Sequence, residues 1–376
     1  MVDVKVAVAC QGGGTHAAFE VGVLSEILKD IQERNRFELV GLSGTSAGAL
    51  CTLMAWYGLA SKNGRAGSVR AAIDKLNRFW DAFAASTPAE MMLNLFSFSA
   101  LTAQEKETPV LGFNAPVFSL NPRGAISQVV TAGLPLLGVR RGYFDFDDLL
   151  AIEWQGVQTR LLLGASEIIN GVETVFDSDC NMGGQGGKHT EPTVTHRWRK
   201  RLPLTLRGVA ASGTLPSVRQ AEQIEGRYYW DGLYSQNPPV REFLAGVRKE
   251  QAPDEIWIVR INPQQSAQQP QSNADIQDRE NELMGNLSLN KELDFILTVN
   301  DWIAQFGGAF ADNYKHVTVR TIKMTRKTAA ELRTSSKFDR SRGFINRLRD
   351  EGRAVAHEWL NSWPDVGCYP DDAAYW

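Results

Sequence analysis

The feature that most narrows what this chain can fold into is a pattern that occurs twice at its start: a short apolar run, a glycine-bearing turn, then a helix-forming stretch. Residues 4–10, VKVAVAC, are apolar apart from Lys5, with three β-branched valines, and run into Gly12-Gly13-Gly14, the pattern of a buried strand closed by a tight turn. From 17 to 34, the apolar residues Val21, Leu24, Ile27, Leu28 and Ile31 recur at three- and four-residue spacing, which predicts an amphipathic helix with one buried stripe. Residues 37–42, FELVGL, predict a second strand, 43–48 a turn, and 49–59 a second helix. Such alternation favours a parallel sheet with helices on its faces and functional loops at the strands' C-terminal ends.

Further along, 69–83 predicts a helix inside a segment, 60–150, that is otherwise loop-like and could cover a site. Strands are predicted over 159–165, 173–176, 227–230 and 254–261, a glycine-rich loop over 180–188, and a helix over 204–212 that stops at Gly213. Residues 263–275, PQQSAQQPQSNAD, are poor in apolar side chains, the composition of a polar linker or mobile loop. The expected organisation is therefore an α/β domain over 1–262, that linker, and a mainly helical C-terminal extension over 276–376 packed on the core.

Composition limits the function classes. Hydrophobic residues at 43% and charged residues at 22% are those of a packed domain rather than a disordered chain. Forty basic against 43 acidic residues, a formal charge of −3, give no global field toward nucleic acid. Cys10, Cys51, Cys180 and Cys368 have no C-x-x-C spacing, so neither a zinc site nor a disulfide framework is expected. The start of the chain has no basic segment followed by a long apolar one, which leads to the expectation of an unprocessed, cytoplasmic protein. With no apolar run long enough to span a bilayer, membrane contact is expected to be peripheral at most.

Three short constellations carry chemistry. Gly44-Thr45-Ser46-Ala47-Gly48 is a G-x-S-x-G sequence between a predicted strand and a predicted helix, the context that makes it a nucleophile elbow. Its small flanking residues, Gly44 and Gly48, let the backbone turn sharply enough to expose the Ser46 hydroxyl. Gly12-Gly13-Gly14 ends the first strand 34 residues earlier; on a parallel sheet its amides would lie at the same edge and could face the carbonyl that Ser46 attacks. The alternative, a phosphate-binding loop, lacks the Lys-Ser/Thr of a P-loop and does not fit G-x-G-x-x-G. Asp231-Gly232 follows the aromatic strand Tyr228-Tyr229-Trp230. A carboxylate near its reference pKa of about 3.9 makes a weak base unless desolvated, and Asp-Gly is also an ordinary turn pair, so the residues alone leave both readings open.

Taken in order, GGGTHAAFEVGVL, GTSAG, ASGTLPSV at 211–218 and DGLYSQNPP resemble the patatin-like phospholipases over roughly 4–262. The resemblance implies a three-layer α/β sandwich with a mostly parallel sheet, hydrolysis of lipid acyl esters, and no metal or organic cofactor. It implies a Ser-Asp dyad with Ser46 as nucleophile and Asp231 as base. It also implies an oxyanion hole from the glycine turn, Gly12 to Gly14, with the amides of Gly13, Gly14, Thr15 and Ala47 as donors. The family has an Arg or Lys shortly after its glycines, where this chain has Thr15-His16, so charge assistance there is either missing or falls to His16. Where the family commonly reads Asp-Gly-Gly, this chain reads Asp231-Gly232-Leu233.

Rival readings are a Ser-His-Asp esterase using His316 or His357, the histidines that follow Asp231, an acyltransferase on the same elbow, and a catalytically silent lipid-binding or interaction protein. His189 and His196 flank a polar loop and receive no role. Arg197-Trp198-Arg199-Lys200-Arg201 is the one dense basic cluster, read as a solvated surface loop or, more sharply, a contact for anionic lipid headgroups. The apolar stretch 125–139 is read as core packing or a lipid-facing lid, and Asp145-Phe146-Asp147-Asp148 is too weak a pattern for calcium.

Overall fold

A computed structural model describes residues 4–62, 64–95, 152–154, 157–182, 198–216, 220–266 and 269–369. The stretch 125–139, the Asp145–Asp148 pattern, His189, His196 and Arg197 lie outside them.

The opening pattern folds as its periodicity dictates: β1 (Lys5–Cys10), α1 (Ala18–Arg34), β2 (Glu38–Gly44) and α2 (Ala47–Leu59), followed by α3 (Val69–Phe83). The rest of the sheet comprises β3 (Arg160–Glu167), β4 (Val172–Asp177), β5 (Arg199–Pro203), β6 (Glu222–Ile224), β7 (Arg227–Asp231), β8 (Glu255–Arg260) and β9 (Thr318–Lys323). Its strand order is β5-β4-β3-β2-β1-β8-β9, with β7 paired to β3 and β6 to β7. The pairs β1 with β2, β1 with β8, β2 with β3, β4 with β5 and β8 with β9 are parallel.

Helices cover both faces, giving three layers. α4 (Leu206–Ser212), α5 (Asn273–Phe306), α6 (Gly308–Asn313), α7 (Arg326–Glu331) and α8 (Arg342–Ser362) complete the set. Alternation along β1 sends Val6, Val8 and Cys10 into one core with α1, α2 and α8, where Val21, Leu24, Leu53, Trp56, Ile345 and Leu348 are buried. Ala7 and Ala9 face the opposite core, closed by Leu289, Leu293 and Ile296 of α5. A strand buried on both faces reads as an unbroken apolar run, which is how residues 6–10, VAVAC, read.

The C-terminal region is helical, and it also contributes β9, hydrogen-bonded in parallel to β8 from Glu255–Thr318 to Arg260–Lys323. The polar stretch before it ends in a capping box in which Ser272 and Asp275 bond each other's backbone at the start of α5.

Of the basic cluster, residues 199–201 form a strand rather than a solvated loop, although Trp198 and Lys200 are exposed. Residues 199–201 belong to β5, and alternation brings Arg199 onto Glu242 and Glu292 and Arg201 onto Asp177. Arg199 is bound at both ends of its fork by Glu242, and also by Glu173 at 2.7 Å and Glu292 at 2.8 Å, with its side chain only 9% exposed. Desolvation opposes that charge, and the surrounding carboxylates outweigh it, holding the guanidinium well above its usual range.

Candidate active site

Strand pairing explains why Ser46 and Asp231, 185 residues apart in the chain, meet at one edge. β4 occupies one side of β3 from Leu162 to Glu167. On the other side, β2 runs as far as Gly44 opposite Leu163, and β7 takes over with Asp231 opposite Ala165. The elbow leaves β2 just where β7 arrives, so the start of α2 stands over the end of β7. β1 ends on the same edge, Cys10 opposite Gly44, and delivers the glycine turn.

The elbow is strained. Ser46 sits at φ 57° and ψ −125°, a region that costs a residue with a Cβ about 1–3 kcal/mol. Ser212, at the end of α4, braces it: the Ser46 amide donates to the Ser212 carbonyl at 3.0 Å and lies 3.1 Å from its Oγ. The flanking glycines are fixed by space. A Cβ on Gly44 would lie 2.4 Å from the Gly48 carbonyl oxygen, and one on Gly48 would lie 2.5 Å from that of Cys10.

Asp231 is fully buried. Its Oδ1 accepts the Leu233 amide at 2.9 Å. Oδ2 meets no partner at full hydrogen-bonding geometry, although the Ser46 hydroxyl lies near enough to favour the ionised form. Burial is the dominant influence and pushes the carboxyl up to about 7, with the Leu233 amide, Ser46 and the charge of Lys337 pulling the other way. The strand end thus holds a carboxyl that titrates near neutrality.

The glycine turn is not uniform. The Gly12 amide donates to Asn237 Oδ1 at 2.6 Å, so of the turn's glycines Gly12 is engaged within the protein, and a Cβ on it would lie 2.8 Å from that of Ser46. Its carbonyl accepts from Asn262 Nδ2 at 3.1 Å. The amides of Gly13 and Gly14 have no acceptor among the described residues. Gly14, Thr15, Ser46 and Ala47 line one cavity with Leu50, Phe79, Trp80, Phe83, Leu215, Phe338, Lys337 and Arg340. Its wall is mostly apolar, with polar backbone at one end, the arrangement that suits an ester with an acyl chain.

Among the described histidines, none bonds Ser46 or Asp231. His316 is exposed before β9, and His357 is 59% exposed, 3.7 Å from Glu26 on the outer surface of α1. His16 is buried, its Nε2 2.7 Å from Ser336 Oγ. Burial, with Lys337 and Arg347 adding to it, holds the ring well below its usual pKa, so His16 is neutral and brings no charge to the turn.

Sequence reasoning did not single out Asn237, Ser212, Asn262 or Lys337. The first two lie within quoted motifs, SQNPP and ASGTLPSV, and a search for the partners of the turn amides would have found them. Asn262 and Lys337 stand in no motif and become visible only once α5 and the segment 335–338 close over the turn.

A family model for patatin-like phospholipase matches residues 8–244. No curated protein sequence matches the chain. Among solved structures, VipD from Legionella pneumophila is 12% identical with a TM-score of 0.36, covering 93% of this chain and 67% of its own. The type III effector protein ExoU is 12% identical with a TM-score of 0.27, covering 94% of this chain and 53% of its own.

Proposed function

Because the chain belongs to the patatin-like phospholipase family, we propose that it hydrolyses lipid acyl esters through a Ser46–Asp231 dyad. The observation that carries this reading is the incompletely bonded Oδ2 of a buried carboxyl beside an elbow serine. A group titrating near 7 is matched to general-base work at neutral pH.

Ser46 Oγ attacks the ester carbonyl while Asp231 Oδ2 takes its proton, and the tetrahedral oxyanion is held by the amides of Gly13, Gly14, Thr15 and Ala47. As the intermediate collapses, Asp231 returns the proton to the departing alcohol oxygen. Water then enters, gives a proton to Asp231 and attacks the acyl-enzyme; as the acid is released, Asp231 passes that proton to the departing Ser46 Oγ, restoring the hydroxyl and the carboxylate. The acyl chain lies along Leu50, Phe79, Trp80 and Phe83. No described helix is long and apolar enough to cross a membrane, and substrate reaches the site by peripheral contact.

An ester hydrolysis panel tests this. Ser46→Ala and Asp231→Asn are expected to lose at least about a thousandfold in kcat, and the double variant His316→Ala with His357→Ala to keep wild-type rates. Activity that survives Asp231→Asn and disappears with the histidines would transfer the reaction to a Ser-His-Asp triad.

A further inference from the structure

We propose that Lys337, delivered by the C-terminal region, is the cation of the anion-binding end of this site, and that turnover requires its ammonium to be charged. The proposal rests on the Ser46–Asp231 reading and adds to it a residue outside the family-matched segment 8–244.

Lys337 lines the same cavity as Gly14, Thr15, Ser46 and Ala47. Its backbone is in contact with the glycine turn: Gly14 has φ +57°, and a Cβ there would lie 2.4 Å from the Lys337 carbonyl oxygen. Nζ is held by Asn262 Oδ1 at 3.1 Å and by Asn281 Oδ1. Asn262 in turn donates to the Gly12 carbonyl, so the ammonium and the turn share one anchor. Both holders are neutral amides, and among the described residues no carboxylate forms an ion pair with Lys337. An amine fixed in this way is positioned without being neutralised, and the third N–H of an ammonium remains for the cavity.

The charged groups around it are few. From α5, Glu282 and Asp278 favour the ammonium, and both are already engaged, by Arg279 at 2.9 Å and Arg333 at 3.1 Å. Asp231 favours it from the end of β7. On the turn side stands His16, neutral, with Arg347 of α8 acting on that ring, and Arg340 lines the same cavity. Burial outweighs the three carboxylates and brings Lys337 down to about 8. The ammonium is therefore charged at neutral pH and lost as pH rises through about 8. While charged it lowers the energy of an oxyanion forming over the turn amides, and it favours the ionised Asp231 that must accept the Ser46 proton.

The test is ester hydrolysis by the full chain between about pH 5 and 10 for wild type, Ser46→Ala, Lys337→Met and Lys337→Arg. The wild-type kcat profile should rise through about 7 and fall through about 8, the values of Asp231 and Lys337. Lys337→Met should lower kcat about 10- to 100-fold with KM within about twofold, and its acid limb should move upward because Asp231 has lost a favourable charge. Lys337→Arg should recover most of the rate and lose the alkaline limb, since a guanidinium does not titrate in this range. Wild-type kcat in Lys337→Met, or an alkaline limb that persists in Lys337→Arg, would overturn the proposal while leaving a dead Ser46→Ala, and so the dyad, in place. Full activity in Ser46→Ala would sink both. Should Lys337→Met not fold, the limb of Lys337→Arg decides alone.

Discussion

Asp231 and Arg199 are both ionisable groups taken out of water, and the protein treats them in opposite ways. Arg199 is ringed by Glu173, Glu242 and Glu292, each within salt-bridge reach. Asp231 has one amide on Oδ1 and no full bond on Oδ2. The first is the arrangement of a structural ion cluster, in which the partners offset the desolvation of each charge. The second keeps a carboxyl in a state that costs stability and is ready to accept a proton. Surrounding carboxylates outweigh burial and raise the Arg199 pKa, whereas burial, only partly offset by the Leu233 amide, Ser46 and Lys337, raises that of Asp231 to about 7.

The comparison can be broken at either end. Its largest expected consequence lies at Arg199: Arg199→Met leaves Glu242 and Glu292 buried without their cation and should cost about 3–5 kcal/mol of stability in denaturant unfolding. Asp231→Asn should have the opposite sign. The folded carboxyl binds its proton more tightly than the unfolded one, so Asp231 favours the fold below about pH 4 and loses that contribution as pH rises through about 7. At pH 8 the Asn variant should be about 1–3 kcal/mol more stable than wild type while lacking activity. Equal stability losses in the two variants would erase the distinction. The smallest effect concerns Asn237→Ala: freeing the Gly12 amide should lower kcat about tenfold by loosening the turn, with unfolding changed by about 1 kcal/mol.

How much of this was legible follows from the range of the signals. The short apolar run that ends at Cys10 and the stripe through Val21, Leu24, Ile27 and Leu28 are local, and they gave β1 and α1 nearly to the residue. Ser46 and Asp231 each stand at the end of such an element, so local pattern together with four motifs in order singled them out. The residues 199–201 misled because charge density in a sequence says nothing of what lies across the strand; the carboxylates that bury Arg199 come from β4, the loop after Val240 and α5. Lys337 and Asn262 were silent for the same reason. Their meaning comes from the folding of residues 262–338 back over the first fifteen, and no periodicity encodes that contact.

The most direct test of the dyad is the rate at which a fluorophosphonate labels Ser46, followed by mass spectrometry as a function of pH. Labelling confined to Ser46, rising as pH passes through about 7 and falling by at least about a hundredfold in Asp231→Asn, is the predicted result. Labelling whose rate and pH dependence are unchanged by Asp231→Asn would contradict the account.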